Sequence, residues 1–435
     1  MKLLVVGSGA REHALVGKLA AESGVDEVVC APGNAGIGRE PATRCVPVDV
    51  SAPAAVLQLA TSESVDLTVV GPEVPLAHGV ADIFADAGRL LFGPSRAAAQ
   101  LESSKSFAKA FMARHGVPTA RSRVCGTEHD ALNAVSGDAF GFPVVVKADG
   151  LAGGKGVTVA PDRAAAETAV REAMVDRRFG DAGAQVVIEE YLAGPEVSYF
   201  VIADGRRGLV LPSAQDHKRV FDGDAGPNTG GMGAFAPSPI LTAALEQQVM
   251  REIVTPTIDG LRAEGHQYRG VLYVGLMLTA DGPKVIEYNV RFGDPEAQVV
   301  LPMLDSDLAP VLLAAAQGEL GDASWRVTTD PHVGIVLASG GYPGPYTTGV
   351  FIDGLDDAAS VPGVRINHAG TAQRGDAVVT AGGRVLTVVG RGRSFEDAIA
   401  SAYEAVDRIS FDGCHVRTDI GKKALEAIAA GAQGR

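Results

Sequence analysis

One stretch decides the fold, residues 283–298, which read PKVIEYNVRFGDPEAQ. Its β-branched and aromatic residues are typical of a strand. Because side chains alternate faces with period two, Glu287, Asn289 and Arg291 share one face of that strand. Carboxylate and amide oxygens suit a hard cation such as Mg²⁺, and a guanidinium group suits a phosphate or carboxylate beside it. The stretch predicts a metal and anion site on a strand that ends at Gly293, with an exposed, charged hairpin edge as the alternative.

The length and charge of the chain limit the classes of protein it can belong to. A chain of 435 residues is expected to form about three domains. Its formal net charge of −14 argues against a general nucleic-acid surface and against an anionic-membrane surface. We therefore expect small-molecule partners, with no nucleic acid and no membrane. No exposed heptad or long apolar stripe demands a partner chain, so we expect a monomer.

Cysteine usage and hydropathy predict the compartment. The four cysteines form no C-x-x-C pair, which fits a reducing cytosol better than a disulfide framework: Cys30, Cys45, Cys125 and Cys414. No apolar run approaches the roughly 20 residues of a membrane span. The sequence therefore predicts a soluble, cytoplasmic protein.

The first hundred residues alternate strands with helices, which predicts a doubly wound parallel sheet. Ligands of such sheets lie outside the carboxyl ends of the strands, where the glycine-containing loops 7–12, 32–36 and 71–73 are expected to converge. The first loop resembles a dinucleotide fingerprint, but Glu12 replaces its third glycine. Because no acidic residue follows the second strand either, a small phosphate or carboxylate at the helix N-terminus is favoured over NAD. Arg11 would add positive charge there.

Two lysines flank a glycine-rich loop in the middle of the chain. Lys147 ends a predicted strand, Lys155 precedes the next strand, and three glycines lie between them, with a fourth, Gly156, directly after Lys155. Glycine lets backbone approach a ligand closely, and the lysines require that ligand to be anionic. The loop leads into a strand and so is not a Walker A loop. We interpret it as a polyphosphate lid, with a mobile hairpin tip as the alternative.

Other patterns in the chain are weaker. One long helix is predicted over residues 97–115, and the strand over 186–190 ends in acidic and apolar residues that suit an adenine edge and a ribose hydroxyl. The glycine-rich segment 226–234 has the character of a binding loop. From residue 332 the chain is β-rich, with a helix predicted over 395–409, and we interpret this region as a cap over the site.

The order of these features resembles the ATP-grasp ligases. Within them the chain resembles the glycinamide ribonucleotide synthetase family, through GSGAREHAL, APGNAG, VGPEVPL, KADGLAGGKGV, QDHKR, GPNTGGMGA and RFGDPEAQ. The resemblance extends to the HAGT and GGRVL stretches near the C-terminus and so covers nearly the whole chain. Ser8 and Ala10 replace the usual Asn and Gly of the first loop, and Gly153 replaces an alanine.

This resemblance implies an α/β and α+β multidomain fold. A doubly wound parallel α/β domain is expected over residues 1–102, followed by the two-part ATP-grasp core over 103–327, whose small lid subdomain covers about 124–190. A β-rich cap domain is expected over 328–435. The implied reaction joins 5-phosphoribosylamine to glycine through a glycyl phosphate, with ATP and Mg²⁺ or Mn²⁺, in purine synthesis.

The resemblance also implies roles for particular residues. The catalytic residues would be Arg291, Lys147 and Asp216. The nucleotide would be bound by Lys105, Lys147, Lys155, Gly153, Gly154, Glu189, Tyr191, Leu192 and Glu196. The two other substrates would be bound by Gly9, Arg11, Glu12, Gly33, Asn34, Pro72, Glu73, Asn228, Gly230, Gly231, Met232, Gly233, Asp294 and Pro295. The metal ligands would be Glu287 and Asn289.

Three other functions compete with this one. A sister ATP-grasp carboxylase would share the fold and the metal-binding strand but use bicarbonate, and segments 226–234 and 291–298 argue against it. An ATP-binding regulatory module would leave Glu287 and Asn289 without a purpose. A nicotinamide dehydrogenase rests on Gly7 and Gly9 alone.

Overall fold

The computed structural model describes residues 1–136, 139–153 and 155–433. Its N-terminal region is a five-stranded parallel sheet in the order β3-β2-β1-β4-β5. The strands are β1 (Lys2–Gly7), β2 (Glu27–Pro32), β3 (Thr43–Cys45), β4 (Leu67–Val70) and β5 (Leu91–Phe92). The helices are α1 (Ala10–Ala20), α2 (Pro53–Ser62), α3 (Glu73–Ala77), α4 (Val80–Asp86) and α5 (Gln100–Ser103). The predicted doubly wound parallel sheet is confirmed, and the loops after β1 and β4 lie where the strand order reverses.

Two helices predicted as continuous are interrupted. The helix predicted over residues 97–115 is divided at Ser104, whose backbone is extended and whose hydroxyl accepts a hydrogen bond from the Phe107 N–H, so a new helix, α6 (Lys105–His115), starts there. The alternation of strands and helices in the first hundred residues also predicts one helix over residues 76–87, and this helix is divided at Gly79, which has a φ of 86°.

A small four-stranded sheet follows in the order β6-β9-β7-β8. Its strands are β6 (Ser122–Cys125), β7 (Val144–Ala148), β8 (Val157–Ala160) and β9 (Val186–Glu190). Helices α7 (Glu128–Ser136) and α8 (Arg163–Met174) pack on it through an apolar cluster. Val145 pairs with Glu189, and Lys147 pairs with Val187, so the side chains of Lys147 and Glu189 project from the same face of the sheet.

The larger half of the core is an antiparallel sheet in the order β11-β10-β16-β17. Its strands are β10 (Glu196–Asp204), β11 (Gly208–Val210), β16 (Arg269–Thr279) and β17 (Gly282–Asn289). The other elements of this region are β12 (Gln215–Asp216), β13 (Arg219–Phe221), β14 (Ala225–Asn228), β15 (Gly233–Ala236), α9 (Ala243–Val249), α10 (Thr255–Ala263), α11 (Glu296–Val300) and α12 (Ala309–Gln317). Strand β17 ends at Asn289, four residues before the predicted end at Gly293.

The C-terminal region contains β18 (His332–Ala338), β19 (Val364–His368), β20 (Thr371–Arg374), β21 (Ala377–Thr380) and β22 (Arg384–Arg391). Its helices are α13 (Leu355–Ala359), α14 (Phe395–Val406) and α15 (Lys422–Gln433). Its main sheet has the order β12-β15-β18-β22-β19 and so includes two strands from the preceding region. The segment between β12 and β15 therefore lies where the ATP-grasp core meets the C-terminal region. Among the described helices, none is long and apolar enough to cross a membrane.

His332, at the start of β18, is expected to make the protein sensitive to acid. Its imidazole is buried, and burial lowers its pKa to about 4, against about 6.5 in an unfolded chain. Between these values the unfolded state binds the proton and the folded state does not, so stability is lost as the pH falls. We expect the titration of His332 to lower the free energy of unfolding by about 2.5 kcal/mol between about pH 7 and about pH 4.5.

The variant His332→Asn tests this expectation, because its amide can still donate to the Asp330 carbonyl, which the His332 Nδ1 contacts at 3.0 Å. Unfolding free energies measured at both pH values should show a smaller acid-induced loss in the variant. Equal losses in the two proteins would contradict the assignment.

Candidate active site

Strand β17 presents a carboxylate and an amide to a group of lysines. Lys218 Nζ lies 3.6 Å from Glu287 Oε1. Burial opposes ionisation, but the ammonium groups of Lys218, Lys147 and Lys105 lower the pKa of Glu287, which is therefore an anion at neutral pH. The side chain of Glu287 remains 37% exposed and so is open to a ligand. Asn289, two residues on, projects from the same face of the strand.

These two side chains fit a divalent cation. One supplies a charged oxygen and the other a neutral oxygen, which is the donor chemistry that Mg²⁺ and Mn²⁺ prefer. No group of three or more His, Cys, Asp or Glu side chains that could hold a metal occurs among the described residues. A site with two protein oxygens suits a cation that also binds phosphate oxygens and water.

Two lysines form salt bridges with one buried carboxylate of the small sheet. Glu189 Oε2 lies 3.0 Å from Lys147 Nζ and 3.2 Å from Lys109 Nζ. Lys147 also donates to the Ile286 carbonyl on β17, and this contact joins the two sheets. Glu189 Oε1 is buried and has no hydrogen-bond partner among the described residues. A buried carboxylate oxygen without a partner costs free energy, so this oxygen is available to a ligand donor.

The other predicted nucleotide contacts are distributed around this centre. Lys105 Nζ donates to the Gly150 carbonyl at the start of the glycine-rich loop. Lys155, at the end of that loop, instead donates to the Pro343 carbonyl in the C-terminal region. Leu192 packs with Ala120, Met277 and Ile286 in a small apolar cluster. Tyr191 is 44% exposed, Gly153 is exposed, and Gly154 lies outside the described residues.

A second group of charged side chains surrounds Asp216. Burial raises the pKa of Asp216 to about 7, because the opposing effect of Lys218 is offset by Glu296 and other nearby carboxylates. Lys218 forms a salt bridge with Glu196, with 2.8 Å between the Lys218 Nζ and the Glu196 carboxylate. Glu296 is buried and accepts hydrogen bonds from Ser198 Oγ at 3.0 Å and from Tyr273 Oη at 2.8 Å. Within the described residues, Asp216 therefore forms no salt bridge, although Lys218 is near it.

Arg291 connects the end of β17 to the N-terminal region. Its Nε donates to Glu73 at 3.3 Å, and its Nη2 lies 3.0 Å from Glu102 and donates to Asn289 Oδ1 at 3.1 Å. Although burial opposes it, these carboxylates raise the pKa of Arg291, which is therefore charged at every physiological pH. A third acceptor, the Phe292 carbonyl, lies 3.1 Å from Nη1. The guanidinium is fixed in place, with unused N–H capacity on Nη1.

The loops of the first domain converge on residues 291–295. Arg11 donates to the Phe292 carbonyl at 3.2 Å and to Glu12 at 2.5 Å, and Glu12 accepts the Gly9 N–H. A methyl group at Gly9 would lie 3.5 Å from the Asp294 carboxylate. Pro72 lies beside the same loop, since a side chain at Gly7 would contact its ring. Arg11 and Glu12 are both buried and support the loop.

Some predicted substrate residues have structural partners. The Asn34 amide donates to the Ser8 and His368 carbonyls and accepts from the N–H groups of Gly36 and Ile37, which fixes the loop that follows Gly33. The Met232 side chain is completely buried in an apolar cluster. Asn228 lies in the hairpin of β13 and β14, and Gly233 lies in β15.

Gly230, Gly231, Asp294 and Pro295 lie together. Arg384 contacts the carbonyls of Gly230 and Asp294, and a methyl group at Gly231 would strike the Pro295 ring. The residue-based prediction omitted Lys218, Glu296, Glu102 and Arg384. The first two lie within quoted motifs and could have been chosen for their charge, and Arg384 lies in the GGRVL stretch. Glu102 has no local signal, because its role depends on contact with Arg291.

Three family models match the chain. They describe the N domain of phosphoribosylglycinamide synthetase at residues 1–102, its ATP-grasp (A) domain at 103–297, and its C domain at 332–423. The chain belongs to the phosphoribosylglycinamide synthetase family. This family is the one that the sequence motifs predicted.

Individual relatives agree. The phosphoribosylamine–glycine ligase of Allochromatium vinosum is 50% identical over 426 residues, covering 98% of this chain and 99% of that protein. The enzyme of that name from Xanthomonas axonopodis pv. citri is 51% identical over 428 residues, covering 98% of each. The crystal structure of the Thermotoga maritima phosphoribosylamine–glycine ligase superposes with a TM-score of 0.83 at 32% identity, covering 96% of this chain and 100% of that one.

The predicted function is confirmed at the level of the family, so the chain is a ligase of purine biosynthesis with an ATP-grasp fold, which implies use of ATP with a divalent cation. A biotin carboxylase domain from Hydrogenobacter thermophilus, solved with MgADP and bicarbonate, has a TM-score of 0.71 at 19% identity, covering 95% of this chain and 91% of that one. At that identity the likeness extends to the fold alone.

Proposed function

We propose that the chain joins 5-phosphoribosylamine to glycine at the site around β17, by way of a glycyl phosphate, with Glu287 and Asn289 as ligands of Mg²⁺ or Mn²⁺. The observation that supports this proposal best is the clustering of three lysines around an ionised Glu287. A polyphosphate with its cation satisfies both signs of charge in such a cluster. The metal would neutralise charge on the transferring phosphoryl group.

In the first step a carboxylate oxygen of glycine attacks the γ-phosphorus of ATP. The bond from that phosphorus to the bridging oxygen breaks, and ADP leaves. Lys147 and Lys105 are suited to bind the phosphate oxygens, because both ammonium groups lie close enough to Glu287 to lower its pKa. Glu189, with its unpartnered oxygen, and the apolar cluster containing Leu192 are suited to the nucleoside.

Glycine also carries an ammonium group, which requires an acidic site. Asp216 is half-buried and Glu296 is buried, and a cation between them would offset the carboxylate repulsion that adds to the effect of burial on the pKa of Asp216. Arg291 would then face the carboxylate of glycine and later the acyl phosphate, through the free N–H capacity of its Nη1. The arrangement favours an amino acid over bicarbonate, which has no cationic group.

In the second step the amine nitrogen of phosphoribosylamine attacks the carbonyl carbon of the glycyl phosphate. A carbon–nitrogen bond forms, the carbon–oxygen bond to phosphate breaks with its electron pair, and the departing phosphate takes the proton that the nitrogen loses. Water must be excluded, because it would hydrolyse the intermediate. The first-domain loops and the turn over residues 230–231 lie around residues 291–295, where the glycyl phosphate would be protected from water.

The direct test measures ADP and the amide product together, with ATP, Mg²⁺ and freshly prepared phosphoribosylamine. Product formation should require glycine and should be unaffected by bicarbonate, and omission of either organic substrate should abolish it. Turnover that follows bicarbonate and not glycine would contradict the proposal and favour a carboxylase. Replacing Mg²⁺ by Mn²⁺ after chelation establishes which cation is used.

Asp216→Asn should raise the KM for glycine by about 30-fold, since one charge-assisted hydrogen bond to an ammonium group is lost. The KM for ATP should change little. Steady-state kinetics with each substrate varied in turn measures both values. Asp259→Asn, which removes an exposed carboxylate paired with Arg262 at 2.8 Å, is the matched control. An unchanged KM for glycine in Asp216→Asn would contradict the assignment of the ammonium site.

A further inference from the structure

The C-terminal region holds both backbone hydrogen-bonding groups of Gly230. The Gly230 N–H donates to Tyr342 Oη at 3.0 Å, and the Gly230 carbonyl accepts from Arg384 Nη1 at 2.6 Å. Tyr342 lies in the loop after β18, and Arg384 begins β22, so the two groups come from separate segments of the C-terminal region. The peptide planes on both sides of Gly230 are therefore fixed, because rotation of either one would break a hydrogen bond.

The same guanidinium fixes the loop that contains Asp294. Arg384 Nη1 donates to the Asp294 carbonyl at 2.8 Å, and Nη2 lies 3.2 Å from Asp294 Oδ2. Although burial opposes it, Arg384 and Arg11 lower the pKa of Asp294, so the carboxylate is charged. Because the guanidinium fork is planar and rigid, it sets the separation of the Gly230 and Asp294 backbones.

The turn over residues 230–231 packs closely against the loop that contains Asp294. Gly231 has a φ of 112°, and a methyl group there would lie 2.4 Å from Pro295 Cδ. At Gly230 a methyl group would lie 3.1 Å from the Arg384 guanidinium carbon. The turn over residues 230–231 is therefore packed between Arg384 and Pro295, and a small displacement of Arg384 would move it.

The glycine-rich loop touches the same C-terminal segment. Lys155 Nζ donates to the Pro343 carbonyl at 3.0 Å and lies 5.9 Å from the centroid of the Tyr342 ring. The Lys155 ammonium group thus lies over the face of the Tyr342 ring, and the Tyr342 hydroxyl accepts the hydrogen bond from the Gly230 N–H. The β-rich region supplies more than a cover, because it determines where two loops of the ATP-grasp core lie relative to each other.

We infer that Tyr342 and Arg384 are positioning residues for the second step of the ligation. They hold the turn over residues 230–231 against Asp294, and so place the acceptor amine beside the acyl phosphate and exclude water. This inference rests on the proposed function and adds to it two residues that act through Gly230 and Asp294. The substrate class that responds to them is the phosphorylated sugar amine and not the nucleotide.

The test measures the KM for each of the three substrates, and the ratio of amide product to ADP, in Tyr342→Phe and Arg384→Lys. Tyr342→Phe removes one hydroxyl, and we expect the KM for phosphoribosylamine to rise about fivefold. Arg384→Lys removes the fork, and we expect a rise of roughly 30-fold. In both variants the product-to-ADP ratio should fall below that of the wild type, since water then consumes part of the intermediate.

Tyr346→Phe is the matched control, because the Tyr346 ring is 42% exposed and lies 6.4 Å from the Tyr342 ring. Unchanged ratios and unchanged KM values in a folded Tyr342→Phe variant would overturn the inference, as would an equal rise in all three KM values. If Arg384→Lys fails to fold, Tyr342→Phe decides alone. A wild-type protein that forms no amide product contradicts the proposed function itself, whereas active variants with normal ratios contradict only the positioning role.

Discussion

Glu287→Gln is expected to lower kcat by about 10³-fold or more at a fixed Mg²⁺ concentration, with little loss of folded protein. The substitution keeps the shape of the side chain and removes its charge, so the cation loses its anionic protein ligand. A bound metal contributes several kcal/mol of charge stabilisation during phosphoryl transfer, and each 1.36 kcal/mol corresponds to a factor of ten in rate.

The measurement should report metal binding as well as rate. Electron paramagnetic resonance of Mn²⁺ with ADP present should show that the variant binds the ion more weakly than the wild type does. Asp281→Asn is the matched control, because Asp281 lies in the same hairpin, is 84% exposed and pairs with Lys284. Full activity and normal Mn²⁺ affinity in Glu287→Gln would contradict the assignment of the metal site.

Arg291→Lys is expected to lower kcat by about 10²–10³-fold, the size of effect seen when one preorganised donor to a developing charge is removed. Lysine keeps the charge but cannot contact Glu73, Glu102 and Asn289 together, as the guanidinium does. The variant should also be less stable by roughly 3 kcal/mol, because a lysine that contacts Glu73 leaves the buried carboxylate of Glu102 unpaired.

Two measurements separate the roles of Arg291. Single-turnover formation of ADP in the presence of glycine reports phosphoryl transfer, and denaturant unfolding reports stability. Glu102→Gln serves as the comparison, since it removes the charge that Arg291 compensates and leaves the arginine in place. A variant Arg291→Lys with a normal rate but reduced stability would show that the residue is structural.

The sequence predicted elements whose patterns are local. Alternation of strands and helices gave the parallel sheet of the first domain, because each strand is apolar where it is buried and each connecting loop contains its own turn residues. The short strand β3 was missed, since three residues, Thr43–Cys45, are too few to show a period. The break at Ser104 was also missed, because the helical pattern continues on both sides of it.

The motif over residues 283–298 determined by itself that Glu287 and Asn289 share one face of a strand, with an arginine close by. Period-two alternation is a property of any strand, so Glu287 and Asn289 share a face whatever surrounds them. The family resemblance followed from this motif together with the other stretches quoted for it. Residue types suited to polyphosphate and to a metal ion occur in these stretches in the family's order.

Only the tertiary structure decided what each charged group contacts. Arg291 meets Glu73 and Glu102, Asp216 approaches Glu296, and Gly230 is held by residues more than a hundred positions away. Strands β12 and β15 leave their own region to pair within the C-terminal sheet. Contacts of this kind depend on how distant segments pack, so they cannot be predicted from a period or spacing along the chain. The physical reason is that burial and hydrogen-bond satisfaction are properties of the folded whole, whereas periodicity is a property of a segment.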